Sequence, residues 1–261
     1  MRSALVVLTG VLLIMGLAVA PAQADDGDGD GLDDGLEDAV AANFFPWVWF
    51  DSGENGGCTD PATDTNPGTA VARVRPHPAD ASKIAVSYAI LYRRDCGDWW
   101  DGGHNGDVEP FTLTLAPNPA CQYGYGAFAL KTIAHVGTAF EHVDQSMLGN
   151  ACDWGRLAGG SPQVARIYSA ENKHGNYASL GSCEDGALGN DHCSESFTRE
   201  YTVVNAGEDG ARRVDELSGF QFPGEYAWTA QPFSGSLGSG GGDAGMVRDK
   251  LVNDGLLPPA S

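Results

Sequence analysis

Apolar and β-branched residues crowd or alternate in short stretches at Ala70–Arg75, Ile84–Arg93, Pro110–Leu115, Phe128–Val136, Val164–Ser169 and Tyr201–Val204. Clusters of Gly, Pro, Asn and Asp separate them, and short strands between such turn signals predict an all-β sandwich or barrel. Helical periodicity is confined to two places. Leu36, Val40 and Phe44 repeat every fourth residue, with Asp38 and Asn43 off the stripe, which predicts a short amphipathic helix ended by Pro46. A second helix is expected at Ala244–Asn253, after Ser234–Asp243, whose serines and glycines suit a flexible linker or a mobile surface loop. Phe45, Trp47, Trp49 and Phe50 form an aromatic lead-in to the glycine-rich loop from Gly53 to Gly57 and are assigned to the core. His77, in Arg75-Pro-His-Pro78, reads as part of a rigid loop, and no internal repeat is visible. The expected fold is an antiparallel β-sandwich over residues 45–261 with a short helix ahead of it.

The first residues follow a different pattern. Arg2 is followed by an apolar stretch from Ala4 to Ala20 and then by Ala22-Gln23-Ala24, a small-residue cleavage pattern, so 1–24 read as a secretory signal peptide. The apolar core is short for a membrane span and acid rather than base follows it, which argues against an anchor. The expectation is a secreted, extracellular protein with no integral membrane span. Fifteen Lys and Arg against 35 Asp and Glu give a formal charge of −20, which excludes nucleic acid and anionic membranes as electrostatic partners. All six cysteines (Cys58, Cys96, Cys121, Cys152, Cys183, Cys193) lie beyond the leader, and an even number in a secreted chain predicts three disulfides. Cys183 and Cys193 are close enough in sequence to staple one loop. No C-x-x-C pair suggests a zinc site, and no Asn lies in a glycosylation sequon.

Acids concentrate just after the leader. Asp26-Gly-Asp28-Gly-Asp30-Gly31-Leu-Asp-Asp34-Gly-Leu-Glu37 places acids at positions one, three, five, nine and twelve of a calcium loop, with glycine at six. Asp26, Asp28 and Asp30 would each give an oxygen, Leu32 its carbonyl, Asp34 a water-mediated contact and Glu37 both carboxylate oxygens, while Gly31 takes the sharp turn. A merely solvated acidic tail has no reason to hold Gly31 and Glu37 in register. Residues 25–44 thus read as an EF-hand-like loop with its exit helix but no incoming helix. Such lone loops resemble those of dockerins and thrombospondin-type repeats, in which Ca²⁺ braces structure.

A second chemical cluster is Gly103-His104-Asn105-Gly106-Asp107-Val108-Glu109, preceded by Asp95-Cys-Gly-Asp98-Trp-Trp-Asp101. On a strand Asp107 and Glu109 share one face, and His104 can fold over them from a loop. One nitrogen and two carboxylates suit a second divalent cation, Ca²⁺ or Mg²⁺ first and Mn²⁺ or Zn²⁺ after, with Asp98 or Asp101 completing the shell. Trp99 and Trp100 beside it suit either apolar contact with a ligand or the core.

This stretch resembles the H-x-G-D-x-E element of the vacuolar-protein-sorting "sixty-two" family, and more distantly the G-H-R-H-D-W-E heptapeptide of secreted necrosis-inducing proteins. The latter resemblance implies a β-sandwich whose cation is held at His104, Asp107 and Glu109. The heptapeptide's second histidine and its tryptophan are replaced by Gly106 and Val108. Ile133-Ala-His135-Val-Gly with Glu141-His142-Val-Asp144, and Val164-Ala-Arg-Ile-Tyr168 leading to Lys173-His174-Gly-Asn-Tyr177, resemble the histidine-bearing strands of the first family. Leu36–Phe50 followed by Glu54 resembles its opening helix and aromatic strand. His135 and His174 are therefore candidate catalytic or site residues, whereas His142 with Asp144 and His192 with Asp191 read as surface pairs.

No G-x-S-x-G elbow, H-E-x-x-H helix or phosphate-binding G-x-x-x-x-G-K-[ST] occurs, so the common serine hydrolases, zincins and nucleotide enzymes lack their signatures. Three functions are left. The first is binding of a surface ligand, a glycan or lipid head group, through the second cation. The second is metal-dependent hydrolysis with His135 or His174 moving the proton, and the third is a structural, envelope-associated role needing only the N-terminal loop.

Overall fold

A computed structural model describes residues 26–27, 29–54, 68–97, 103–135, 141–156, 165–205, 221–222, 226–227, 251–252 and 255–256. The expected signal peptide, Asp28, Cys58, Asp98 to Asp101, the side chain of His104 and the serine–glycine segment fall outside the described residues. Of the expected C-terminal helix, only 251–252 are described, and they are helical.

Two sheets face each other. The larger has six strands: β2 (Gly68–His77), β3 (Asp80–Asp95), β4 (His104–Pro117), β5 (Tyr125–Ala134), β6 (His142–Ala151) and β10 (Tyr201–Asn205), in the order β10-β2-β3-β4-β5-β6. The smaller is ordered β8-β7-β1-β9, from β1 (Trp47–Phe50), β7 (Arg166–Ser169), β8 (Asn176–Tyr177) and β9 (Phe197–Thr198). A short hairpin of β11 (Gln221–Phe222) and β12 (Tyr226–Ala227) pairs separately, with β12 against β4. The fold is thus the expected all-β sandwich, with one correction. Two pairings are parallel, β1 with β7 and β10 with β2, because these partners are far apart in sequence and are not joined by hairpins.

The six expected strands are all present, most of them longer than expected. β2 runs on to His77, which enters the turn to β3 and pairs with Asp80, so His77 is a strand end and not a loop residue. β4 starts at His104, paired with Asp95, so this histidine also belongs to a strand. Gly103 makes that start possible. Its φ is +60°, and a Cβ there would sit 2.3 Å from the Asp95 carbonyl oxygen.

α1 (Asp34–Asn43) is the expected helix, capped by Asp33, whose carboxylate accepts from the Leu36 N–H at 3.0 Å. Near its other end the Tyr88 hydroxyl donates to Ala41 O at 2.9 Å, tying a carbonyl of the last turn to the large sheet. α2 (Leu180–Asp185), with a Ser179 capping box, was not foreseen.

The core follows strand alternation. Ile84, Val86, Tyr88, Ile90 and Tyr92 of β3 and Leu115, Leu113 and Phe111 of β4 face Val48, Phe50 and Ile167 of the small sheet, all buried. Ala85, Ser87 and Ala89 on the other face of β3 are buried too, which explains its near-continuous apolar run. Aromatic rings fill the middle in layers: Phe45 lies 5.3 Å from Tyr88 and 6.1 Å from Phe111, and further along Phe50 lies 6.3 Å from Tyr92. The aromatic lead-in is therefore core at Phe45 and Phe50, while Trp47 and Trp49 are half-buried. Cys121–Cys152 and the anticipated Cys183–Cys193 are disulfides, and Cys96 is also bridged.

Candidate functional site

The stripe of β4 that buries Leu115, Leu113 and Phe111 continues with Glu109 and Asp107, at 5% and 1% exposure. Strand alternation thus carries two carboxylates into the end of the inter-sheet core, where an uncompensated charge costs several kcal/mol. Compensation arrives from the small sheet. His174 Nδ1 lies 2.8 Å from Asp107 Oδ2, and its Nε2 lies 3.0 Å from Glu54 Oε1. All three side chains are at most 1% exposed. Glu54 Oε2 in turn accepts from the Asn172 N–H at 3.1 Å.

Local chain geometry places this imidazole. Between β7 and β8 the chain reverses tightly, with Ala170 N–H donating to Gly175 O at 3.0 Å and His174 N–H to Ala170 O at 2.8 Å. Asn172 and His174 take positive φ, 64° and 61°, a conformation that costs a residue with a side chain roughly 1–3 kcal/mol. The hydrogen bonds of His174 and its stacking on Tyr92, with centroids 4.0 Å apart and planes at 7°, offset that cost. Burial lowers the imidazole's proton affinity, but the hydrogen bonds and charges of Asp107 and Glu54 outweigh burial and raise its pKa to about 10. At neutral pH His174 is a fixed cation, and taking its proton would break a bond to one carboxylate.

A second histidine cluster adjoins the first. His135, one residue past β5 and at φ 56°, places Nε2 2.6 Å from Asp191 Oδ2, which also accepts from the Tyr177 hydroxyl. Burial opposes the charge on His135, but Asp191 and, more weakly, Glu109 raise its pKa overall. Burial would raise Asp191, yet His135 and Tyr177 hold it below the usual carboxylate range. The clusters meet at β8, where Asn176 Nδ2 donates to Glu109 O at 3.1 Å and a Cβ on Gly175 would stand 3.5 Å from His135 Nε2.

His135 and Asp191 set a pH dependence. His135, raised on folding, contributes stability that is complete below its unfolded value of about 6.5 and is lost as pH rises through its folded value. Asp191, lowered on folding, contributes stability present above about 3.9 and lost as pH falls. Their joint contribution peaks between roughly pH 4 and 6.5. Asp191→Asn is therefore expected to lower the melting temperature most within that window and least at alkaline pH, as thermal melts across a pH series would show.

Asp107, Glu109, His135 and His174 are brought to one end of the sandwich. Asp26, Asp30 and Leu32 lie in the N-terminal loop, and Asp34 and Glu37 in the first turn of α1 that follows it. There Asp26 accepts from the N–H groups of Gly29 and Gly31 at 2.9 and 3.1 Å, Gly27 N–H donates to Asp34 at 3.0 Å, and Gly31 has φ 95°. Glu37, in the first turn of α1, is 3% exposed. Among the described residues no three His, Cys, Asp or Glu side chains converge in a geometry that holds a metal ion. One atom bears on the question: Asp107 Oδ1 is buried and has no hydrogen-bond partner among the described residues.

Sequence reasoning missed how Glu54 and Asp191 act. Asp191 is buried and pairs with His135, not with His192, which is exposed. His142 opens β6 and packs against the Tyr177 ring at 5.4 Å instead of forming a surface pair. Among the described residues no helix is long and apolar enough to cross a membrane.

No family model and no curated protein matches this sequence, so the likeness to the vacuolar-protein-sorting family is not shown. Solved structures that match include one described as a toxin fold for microbial attack and plant defense, at 18% identity and TM-score 0.42, covering 90% of this chain and 95% of that one. NLPPya in complex with mannosamine matches at 16% identity and TM-score 0.42, covering 92% and 96%. Necrosis and ethylene inducing protein 2, from the agent of cocoa's witches' broom disease, matches at 15% identity and TM-score 0.39, covering 69% and 80%. The likeness is to toxin-fold proteins of the necrosis- and ethylene-inducing kind, and no residue role is carried from them to this chain.

Proposed function

We propose that this protein is a secreted β-sandwich that binds a divalent cation at the acidic end of its core and engages a surface ligand, a glycan or a lipid head group, through it. The observation that carries this reading is the pair Asp107 and Glu109, buried on one stripe of β4, with Asp107 Oδ1 lacking a hydrogen-bond partner among the described residues. A buried carboxylate oxygen in that condition is costly in an apolar setting and suits a hard cation, Ca²⁺ or Mg²⁺. His104, at the start of the same strand, is the nitrogen ligand in this reading. The N-terminal loop takes a separate Ca²⁺ through Asp26, Asp28, Asp30, Leu32, Asp34 and Glu37, bracing α1 against the sandwich.

Elemental mass spectrometry on the mature protein, purified with calcium and magnesium, tests both sites. The expected result is two ions per chain, falling to one in the Asp107→Asn, Glu109→Gln double variant. A count unchanged by those substitutions would overturn the site in the core and leave the structural role, which needs only the N-terminal loop.

A second reading, metal-dependent hydrolysis, draws on His135. A partly buried imidazole oriented by a buried aspartate has the arrangement of a general base. It requires that His135→Gln abolish ester or phosphoester turnover while leaving the ion count at two.

A further inference from the structure

We propose that Glu54 and His174 are positioning residues that fix the Asp107 carboxylate for its cation, an inference that rests on the site proposed above. An aspartate on a strand end turns its carboxylate readily about a broad terminal torsion, and a ligand oxygen that turns is poorly prepared for a metal. Here the turning is stopped from outside the site. Asp107 Oδ2 is held by His174 Nδ1 at 2.8 Å, which leaves Oδ1 as the oxygen available to a cation. His174 is itself immobilised on three sides: Glu54 on Nε2, the Tyr92 ring under its face, and its own N–H on Ala170 O. Glu54 is anchored by the Asn172 N–H, in the same turn that carries His174.

The chain from Asn172 through Glu54 and His174 to Asp107 therefore closes on itself. Sequence separations of 120 between Glu54 and His174 and 67 between His174 and Asp107 join three distant segments in one bonded series. Partners of this kind behind a ligating carboxylate typically change metal affinity by about 10–100-fold when removed. A positioning role makes the same demand of both partners: His174→Gln and Glu54→Gln each loosen the series that holds Asp107 Oδ2, so each weakens binding at Oδ1.

The test is titration calorimetry of Mn²⁺ and Ca²⁺ into the full mature chain, with the signal remaining in Asp107→Asn, Glu109→Gln subtracted to remove the N-terminal loop. The Mn²⁺ paramagnetic resonance linewidth serves as a readout of ligand geometry. We expect both single variants to weaken the core site by about 10–100-fold and to change the Mn²⁺ spectrum. Their metal-free far-ultraviolet circular dichroism should stay that of the parent. Tighter binding in His174→Gln, or unchanged binding and spectrum in Glu54→Gln, overturns the inference. If His174→Gln fails to fold, Glu54→Gln alone decides. A core site that survives Asp107→Asn, Glu109→Gln would instead overturn the proposed function itself, and the two failures are distinct.

Discussion

Replacing His174 by leucine is expected to destabilise the protein by about 3–5 kcal/mol, the usual cost of removing one member of a buried ion pair. The reason lies in what remains behind. Leucine fills a comparable volume above Tyr92, so little cavity forms, but Glu54 and Asp107 keep their side chains at most 1% exposed and lose their shared cation. The stacking at 4.0 Å is lost as well. For a chain of this size the melting temperature should drop by about 10 °C. The diagnostic comparison is the triple variant His174→Leu, Glu54→Gln, Asp107→Asn. Removing the stranded charges should recover part of the loss, so the triple should be more stable than the single, a non-additivity that only a coupled buried network produces. A triple no more stable than His174→Leu would mean that the histidine acts through packing, not charge.

The sequence pattern predicted the large sheet well where burial followed apolar character. β2 to β5 were visible because their core faces are filled by alanine, valine, isoleucine, leucine and aromatics. β6 was invisible for the opposite reason. Its outward positions include Val143 and Met147, 41% and 60% exposed, whereas its less exposed positions include His142, Asp144 and Ser146, so its pattern is inverted relative to a sandwich strand. β1 was read as a lead-in because four consecutive apolar residues, Trp47 to Phe50, carry no alternation, yet burial alternates along them.

The site divides the same way. Asp107 and Glu109 two residues apart on a strand could be read as a pair from alternation alone. Their partners could not, because Glu54 and His174 meet through the packing of two sheets. Asp191 illustrates the limit: its neighbour His192 is adjacent in sequence, but the chain turns Asp191 inward and leaves His192 in water. Sequence resemblance had marked His174 as a candidate, but only the fold could show that it is bonded to Asp107 and Glu54.

Phe45→Ala is expected to cost about 3–5 kcal/mol, the range for truncating a fully buried phenylalanine. The ring sits at 0% exposure where α1 hands over to β1, and it touches the rings of Tyr88, Phe111 and Tyr201 at 5.3, 6.1 and 5.5 Å. Removing it opens a cavity bounded by three large side chains anchored on three different strands, so collapse is difficult and the cost should fall near the upper end. Yet the consequence for the site should differ from that of His174→Leu. Phe50 and Tyr92 form an aromatic layer between Phe45 and the charged cap, and the cap is held by its own hydrogen bonds. In chemical denaturation Phe45→Ala should therefore lower the midpoint without changing the denaturant slope, while cation affinity measured well below the melting temperature stays that of the parent. His174→Leu should lower both. If Phe45→Ala also weakened the cation site by tenfold or more, the aromatic layers would be transmitting strain to Asp107, and the network from Asn172 to Asp107 would not be the element that fixes that carboxylate.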